Sequence, residues 1–315
     1  MPTTISFRKY HGLGNDYVYV DAMSQPQMLA SDLPALARRI SDRHCGIGAD
    51  GLILLCHPTP GAAAHLRMRM FNADGTEARM CGNGIRCVAK FAHDHLGFRQ
   101  RPMLVETGRG VLSILYTVID GRLDSATVDM GEPMLAPSDV PTTLGATRNG
   151  QVVAASLSQL PELAAVLSSA CLGGPSGPVG LGGPGGLILE ATCVSMGNPH
   201  AVLLCAEPSD VDLARIGPIL ERATVFPERA NISVMKVLSR SHIFGRIWER
   251  GSGLTLASGT GASAMVVAGA LLGLVDRTVR VSQPGGDLSI IWDERTNHVQ
   301  KTGPATEVFS GVFEV

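Results

Sequence analysis

A short element that could carry chemistry occurs twice in the chain, once with a cysteine in front and once with a serine. The first copy is Cys81-Gly82-Asn83-Gly84 and the second is Ser258-Gly259-Thr260-Gly261, and each opens a stretch of helical character. A glycine-rich turn entering a helix presents backbone N–H groups and the positive end of the helix dipole, which bind anions and lower the pKa of a nearby thiol. We therefore expect Cys81 to serve as a thiolate.

Two such groups facing one substrate would suit proton transfer on opposite faces of a carbon. The N–H groups of both helix starts could stabilise the negative charge that develops beside a carboxylate when an amino acid loses its α proton. Gly-x-Gly turns are common, however, and a cysteine in one is often only a small buried side chain. Residues 259–264 also fit a dinucleotide-binding fingerprint loosely, but no strand–turn–helix unit is evident around them.

The composition is that of an ordinary soluble globular protein with a small ligand. The chain has 315 residues, of which 45% are apolar and 17% charged, and this length favours two domains. The formal net charge of -2 comes with no basic patch for nucleic acid and no charged tail. A small polar ligand is therefore favoured over a polymer.

The termini and the cysteines favour a cytoplasmic protein without a structural metal. The first residues lack the apolar core of a signal peptide, and the longest apolar run, 264–275, is shorter than the ~18 residues of a membrane span. The seven cysteines, at 45, 56, 81, 87, 171, 193 and 205, include no CxxC pair. This pattern argues against a disulfide framework and against a zinc site, so we expect reduced thiols.

Residue periodicity predicts mostly antiparallel sheet and two prominent helices. Alternation with a period of two predicts strands over 65–71, 111–118, 232–237 and 244–248. An amphipathic helix is predicted over 85–96, with Gly97 as its C-terminal cap. A second helix is predicted over roughly 259–274, and it is apolar on all sides.

A helix without a polar face must be buried all round, and the chain offers few other helices to cover it. The simplest cover is a curled sheet, so the sequence predicts an α+β fold in which a barrel-like sheet surrounds a central helix, twice. Residues 173–186 contain eight glycines and three prolines, too few side chains to pack. We expect them to form a flexible surface insertion within the second half.

Several ordered blocks along most of the chain resemble those of diaminopimelate epimerases. They are His11-Gly-Leu-Gly-Asn-Asp16, Phe71-Asn-Ala-Asp-Gly75, Met80-Cys-Gly-Asn-Gly84, Gly197-Asn-Pro-His200, Trp248-Glu-Arg-Gly251 and Ala257-Ser-Gly-Thr-Gly261. The resemblance implies a cofactor-independent enzyme that interconverts LL- and meso-diaminopimelate in bacterial lysine and cell-wall synthesis. Enzymes of this family use one cysteine thiolate and one cysteine thiol.

The resemblance also implies two pseudo-symmetric lobes with the active site in the cleft between them. We expect an N-terminal lobe of residues 1–127 plus 303–315 that carries Cys81. The C-terminal lobe, residues 128–302, would carry Ser258. Phe309 matches an aromatic residue at the family's dimer contact, so the resemblance implies a homodimer, although a strand aromatic packed in the core is the plainer interpretation.

The roles of individual residues follow from the resemblance, position by position. Cys81 matches the first catalytic cysteine and Ser258 stands at the second, while His200 and Glu249 match the residues that flank the pair and set its protonation. The implied substrate-binding residues are Asn15, Asn72, Gly82, Asn83, Asn198, Asn231, Glu249, Arg250, Gly259 and Thr260. The planar fork of Arg250 suits a distal carboxylate, which favours a substrate with a second polar end.

Ser258 is the main departure from the family pattern. A hydroxyl is a much weaker acid than a thiol, and about three pKa units of mismatch would cost roughly a thousandfold in rate, at ~1.4 kcal/mol per unit. We therefore expect impaired epimerisation with substrate binding retained. The serine is either an introduced replacement of a native cysteine or a natural divergence toward another reaction.

Three functions stay open at this point. The first is the diaminopimelate epimerase itself, and the second is a one-base lyase or a racemase of another amino acid. In the distantly related proline racemase-like enzymes, replacement of one residue of the pair is associated with dehydration. The third is a binding protein that retains the site without turnover.

Overall fold

The computed structural model describes residues 4–78, 81–163 and 186–314. The chain divides into two compact units, Met1–Asp129 with Thr302–Val315, and Met130–Lys301. The sequence prediction placed the first lobe at residues 1–127 plus 303–315 and the second at 128–302. The insertion predicted over 173–186 lies outside the described residues, apart from Gly186.

The first unit is built mainly of strands, together with a 3-10 turn at Pro26–Ala30 and the helices α1 (Leu33–Ser41) and α2 (Gly84–Leu96). Its strands are β1 (Thr4–Gly12), β2 (Asn15–Asp21), β3 (Gly51–Cys56), β4 (Leu66–Asn72), β5 (Glu77–Ala78), β6 (Met103–Thr107), β7 (Gly110–Ile119) and β8 (Arg122–Asp129), and the C-terminal strand β18 (Thr306–Glu314).

The second unit has a 3-10 turn at Pro208–Asp210 and the helices α3 (Leu213–Glu221) and α4 (Gly259–Leu271). Its strands are β9 (Ala155–Ser156), β10 (Glu190–Ser195), β11 (Pro199–Leu204), β12 (Asn231–Ser239), β13 (His242–Glu249), β14 (Gly253–Thr255), β15 (Thr278–Gln283), β16 (Gly286–Trp292) and β17 (Val299–Pro304), whose last residues lead back into the first unit.

The two units repeat one strand order. In the first, β1 and β2 are antiparallel, β2 and β3 parallel, β3 and β4 antiparallel, and β4 and β6 parallel. In the second, β10 and β11 are antiparallel, β11 and β12 parallel, β12 and β13 antiparallel, and β13 and β15 parallel. Helices α2 and α4 occupy the same place in this order, since each precedes the strand that closes the repeat. The predicted strands and the predominance of antiparallel pairs are confirmed.

The prediction that α2 is amphipathic is wrong in one respect, because the sheet covers the polar face of the helix as well as the apolar one. Arg86, Lys90 and His93 are all buried along with the apolar residues. Buried charges need partners, and Asp94 supplies one, since its carboxylate lies 3.0 Å from the Lys90 ammonium and 2.7 Å from His93. Gly97, at φ 76°, caps the helix as predicted.

Helix α4 is buried along most of its length, as its uniformly apolar sequence predicts. It ends at Leu271, three residues earlier than expected, because Gly273 adopts a left-handed conformation at φ 75°. Its 13 residues make it shorter than a membrane span. Within the described parts of the chain, no helix has both the length and the apolar character to cross a membrane.

Candidate active site

The two glycine-rich turns have the same hydrogen-bond geometry. In the first, the N–H of Gly84 donates to Cys81 Sγ at 3.2 Å, and the N–H of Ile85 donates to the Cys81 carbonyl at 3.0 Å. In the second, the N–H of Gly261 donates to Ser258 Oγ at 3.2 Å, and Ala262 donates to the Ser258 carbonyl at 3.0 Å. Each reactive side chain therefore accepts from a free N–H of its helix's first turn.

Glycine is required at the fourth position of both turns for a packing reason. A Cβ on Gly84 would lie 2.7 Å from Ile53 Cδ1 and 3.4 Å from Cys81 Sγ. A Cβ on Gly261 would lie 2.5 Å from Ile247 Cδ1 and 3.3 Å from Ser258 Oγ. In each unit, an isoleucine from the neighbouring sheet thus fixes how closely the helix start approaches the strands.

In the first unit, the Cys81 thiol is held by an amide. Its Sγ donates to Asn15 Oδ1 at 3.4 Å, and the Asn15 amide donates to Asp50 Oδ2 at 2.8 Å. Arg43 bridges Asp50 and Asp16, with Nη2 at 2.9 Å and 2.7 Å from their carboxylates. This chain of contacts fixes Asn15 so that its carbonyl oxygen, the acceptor end, meets the thiol.

In the second unit, the Ser258 hydroxyl is held by a carboxylate. Ser258 Oγ donates to Glu249 Oε2 at 3.1 Å, and Thr255 donates to Glu249 Oε1 at 2.7 Å. Burial raises the pKa of Glu249, and the hydrogen bonds from Thr255 and Ser258 oppose that rise. The Ser258 N–H donates to Gln283 Oε1 at 3.0 Å, which anchors the turn from behind.

His200 lies in the same network and is fully buried. Its Nε2 contacts Asn198 Oδ1 at 3.1 Å, and the Asn198 amide donates to Thr260 Oγ1 at 3.4 Å. Burial, together with the positive charge of Arg250, lowers the pKa of His200 to about 3. His200 is therefore neutral at physiological pH, and with a proton on Nε2 its Nδ1 is an acceptor that has no hydrogen-bond partner among the described residues.

Asn231 and Arg250 are joined through the backbone. The buried Asn231 amide donates to the Pro199 carbonyl at 2.7 Å, and its Oδ1 accepts from the Arg250 N–H at 2.9 Å. Its side chain thus ties β12 to β11 and to the end of β13. The Arg250 side chain is exposed, and its Nη1 donates to the Glu228 carbonyl at 2.9 Å.

The family profile described as Diaminopimelate epimerase matches residues 7–136 and 192–308. A protein named diaminopimelate epimerase from Desulfovibrio desulfuricans is 44% identical over all of both chains. Another protein of that name, from Geobacillus thermodenitrificans, is 41% identical over 98% of this chain and 96% of its own.

The chain belongs to the diaminopimelate epimerase family. A solved structure of a phenazine biosynthesis protein of the PhzF family, from Bacillus anthracis, has the same fold, with a TM-score of 0.62 at 17% identity. It covers 99% of this chain and 100% of its own. The matched family segments include both glycine-rich turns and the implied substrate-binding asparagines.

The structure groups the residues that the family resemblance implies into two sets. Asn15, Cys81, Gly82 and Asn83 lie in the first unit, with Asn72 at the end of the neighbouring strand β4. Asn198, His200, Asn231, Glu249, Arg250, Ser258, Gly259 and Thr260 lie in the second. Asn72 donates from its amide to Thr76 Oγ1 at 3.0 Å, and the side chain of Asn83 accepts from Arg86 Nη1 at 3.1 Å.

Phe309 lies apart from these residues, on β18. It is 45% exposed, and it packs edge-on against Phe7 with ring centroids 5.8 Å apart. It is therefore not a core aromatic. Val308 and Val312 on the same strand are also exposed.

Several residues that support the site were missed by the sequence interpretation. Tyr17 is one, because burial and then the Cys81 side chain raise the pKa of its phenol. Asp50 and Thr255 are others, since they hold Asn15 and Glu249 in place. Asp16 is the last residue of the His11–Asp16 block that resembles the family, and Tyr17 directly follows it. This position was the signal that could have identified Tyr17.

The described cysteines are free thiols, and Cys171 lies outside the described residues. Cys81 is partly exposed and Cys45 is exposed, whereas Cys56, Cys87, Cys193 and Cys205 are buried. Across residues 4–78, 81–163 and 186–314, no cluster of three His, Cys, Asp or Glu side chains is arranged to hold a metal ion.

Proposed function

We propose that this chain interconverts LL- and meso-diaminopimelate by moving the proton on one α carbon, as the names of its curated relatives indicate. The reaction belongs to the synthesis of lysine and of peptidoglycan precursors, and the chain acts as an isomerase that uses side chains rather than a bound cofactor. The observation that carries the proposal is the repeated turn, in which Cys81 Sγ and Ser258 Oγ each accept a first-turn N–H at 3.2 Å.

The turns bind the carboxylate beside the reacting carbon. Gly82, Asn83, Gly259 and Thr260 belong to the helix starts, where first-turn N–H groups and the helix dipole favour an anion. When the α proton leaves, the charge spreads onto this carboxylate, and donors already aimed at it stabilise the transition state more than the ground state.

Proton transfer falls to two unlike groups. Cys81 removes or returns the α proton on one face, as a thiolate hydrogen-bonded by the Gly84 N–H. Ser258 stands at the second position, and its hydroxyl donates a hydrogen bond to Glu249. Because a hydroxyl is the weaker acid, transfer on the second face is the slow step and limits inversion.

Recognition of the far end of the substrate falls to polar side chains around the turns. Arg250 is exposed with donors beyond the one it gives to Glu228, so its fork can bind the distal carboxylate in two parallel hydrogen bonds. Asn15, Asn72 and Asn198 add amide groups for the amino-acid ends. His200 and Asn231 position this set from within the sheet.

We propose further that the protein is a cytoplasmic homodimer that contacts neither membranes nor nucleic acid. Phe309, Val308 and Val312 form an exposed apolar strip on β18, and burying such a strip against a second copy would remove it from water. Sedimentation of the purified protein at micromolar concentration tests the dimer, and Phe309→Glu should shift it to the monomer.

Ser258 favours a second candidate, one-sided chemistry. With one thiol, the chain could abstract the α proton through Cys81 and then eliminate a leaving group, or return the proton to the same face. A lyase of this kind would lose elimination in Cys81→Ala and retain it in Ser258→Ala. A non-catalytic binder would bind diaminopimelate and exchange no α proton.

The deciding experiment is NMR of LL- and meso-diaminopimelate incubated with the protein in deuterated water. Inversion with α-deuterium uptake supports the epimerase, even if slow. Uptake at one stereocentre with retained configuration identifies a half-disabled epimerase. Binding without exchange, or the absence of both on either stereoisomer, refutes the proposal.

A further inference from the structure

Arg86 is a buried cation directly behind the Cys81 turn. It is the third residue of α2 and is 0% exposed. Its Nη1 donates to the Gly82 carbonyl at 3.2 Å and to Asn83 Oδ1 at 3.1 Å, and its Nε donates to the Pro304 carbonyl at 3.1 Å. The guanidinium therefore binds the two residues that follow the catalytic cysteine.

Within the part of the chain that the structure describes, the charge of Arg86 has no carboxylate to balance it. Among the described residues it forms no ion pair within 4 Å, and its Nη2 is buried without a hydrogen-bond acceptor. Lys90, one turn along the same helix, is buried too, but Asp94 Oδ2 lies 3.0 Å from its ammonium. Lys90 thus has an ion-pair partner, whereas Arg86, at the cysteine turn, has none among the described residues.

The position of Arg86 is unfavourable in the absence of an anion. It lies in the first turn of α2, where the helix dipole is positive and repels a cation, and that turn contains no acidic residue. Burial lowers the pKa of Arg86, but an arginine stays protonated at any physiological pH. Burying an unbalanced charge strongly destabilises a fold unless a bound anion offsets it.

Gly12 shapes the space beside the unpaired nitrogen. A Cβ at Gly12 would lie 3.0 Å from Arg86 Nη2 and 3.2 Å from Asn83 Cβ. The glycine allows β1 to pass close to the guanidinium and to enclose it. The enclosed cation sits beside the Cys81 turn, so its field acts at low dielectric and is screened little by water.

We propose that Arg86 is a positioning residue for the reaction, which holds the Cys81-Gly82-Asn83 turn in its anion-binding shape and adds a fixed positive charge to it. The anions it serves are the Cys81 thiolate and the carboxylate of the bound amino acid, whose charge grows as the α proton leaves. This inference rests on the proposed function for the identity of the amino acid, but not for the effect of Arg86 on Cys81.

The test compares Arg86→Met with Arg86→Lys and with Lys90→Met, the matched buried-cation control on the same helix. We expect Arg86→Met to slow α-deuterium uptake from meso-diaminopimelate by roughly 10²-fold, the lower end of what one direct oxyanion donor supplies, because Arg86 acts through the turn; the loss should be mainly in kcat. Arg86→Lys should recover at least tenfold of this loss because it restores the charge. Lys90→Met should lose stability because Asp94 loses its ion pair with Lys90, and it should keep its uptake rate.

A second measurement is independent of the substrate. The rate at which iodoacetamide alkylates Cys81, followed by mass spectrometry of its peptide, should fall at least tenfold in Arg86→Met and recover in Arg86→Lys. If wild-type protein exchanges no diaminopimelate proton, the proposed function fails, and this rate still decides the role of Arg86. Alkylation within twofold of wild type in a folded Arg86→Met, or an equal decline in Lys90→Met, overturns the inference. If Arg86→Met does not fold, Arg86→Gln, which also removes the charge, is measured in its place under the same criterion.

Discussion

The hydroxyl of Ser258 donates to Glu249 Oε2 at 3.1 Å, so the N-cap residue of α4 is bonded to the last residue of β13. The matching thiol of Cys81 donates instead to the neutral amide oxygen of Asn15. The two turns share their helix-start hydrogen bonds, but they differ in the group that accepts from the Cys81 thiol and from the Ser258 hydroxyl. A carboxylate accepts a proton from its donor, whereas an amide oxygen only orients it.

Ser258→Cys should raise epimerisation by roughly 10²–10³-fold, because a thiol is a far stronger acid than a hydroxyl and each pKa unit corresponds to about tenfold in rate. The rate of conversion of LL- to meso-diaminopimelate, measured by NMR, checks this. Ser263→Cys is the matched control, since Ser263 is buried on the same helix and donates to the Gly259 carbonyl at 3.0 Å. A folded Ser258→Cys that stays at the wild-type rate on both stereoisomers would contradict the epimerase assignment.

Cys81→Ala should reduce α-deuterium uptake by roughly 10²–10⁴-fold, the usual contribution of a positioned general base. Cys45→Ala should have no effect, although its thiol is the more exposed of the two. Both variants are followed by deuterium uptake and by their melting temperatures. Uptake that survives in Cys81→Ala would place the base elsewhere.

Glu249→Gln should lower activity and flatten the dependence of stability on pH. Burial raises the pKa of Glu249, so the folded state favours the protonated form, and that stabilisation is lost as the pH rises through the folded pKa. Glutamine keeps an oxygen for Ser258 to bond but accepts no proton. Urea unfolding at pH 5 and pH 8 should show that raising the pH changes the free energy of unfolding more favourably in the variant than in wild type.

Glu207→Gln provides the contrast for that experiment. Glu207 is bonded to Lys236 and Ser209, and these contacts lower its pKa. The effect of pH on stability through Glu207 is therefore opposite to that through Glu249, because the contribution of Glu207 is lost as the pH falls. A decline toward pH 8 that is unchanged in Glu249→Gln would show that Glu249 is not the group responsible.

His200 should make the fold sensitive to mild acid. Its pKa falls to about 3 in the folded state, against an ordinary value of about 6.5. The contribution of neutral, buried His200 to the free energy of unfolding is complete above pH 6.5. It is lost as the pH falls toward 3, at up to ~1.4 kcal/mol per pH unit. The free energy of unfolding, measured between pH 7 and pH 5, should decline less steeply in His200→Gln, and parallel curves would refute this account.

Local sequence was enough to predict the elements that carry the site. The period-two runs predicted β4, β7 and β13 because each has one face toward the core. They also predicted β12, although its first five residues are buried on both faces. The two glycine-rich turns predicted where α2 and α4 begin, since caps and glycines act within a few residues. The polar side of α2 led to a wrong prediction, because the sequence does not distinguish a buried Lys90 from an exposed one. Only the structure shows that Asp94 pairs with it.

By itself, the sequence determined that the chain has two glycine-rich helix starts, a cysteine at one and a serine at the other, and a set of family blocks around them. Only the tertiary structure decided which group stands behind each reactive atom. Ser258 is bonded to Glu249 and Cys81 to Asn15, and Arg86 lies buried with no carboxylate partner among the described residues. Pairing of side chains across strands depends on strand register and burial, which arise from contacts between residues far apart in the chain.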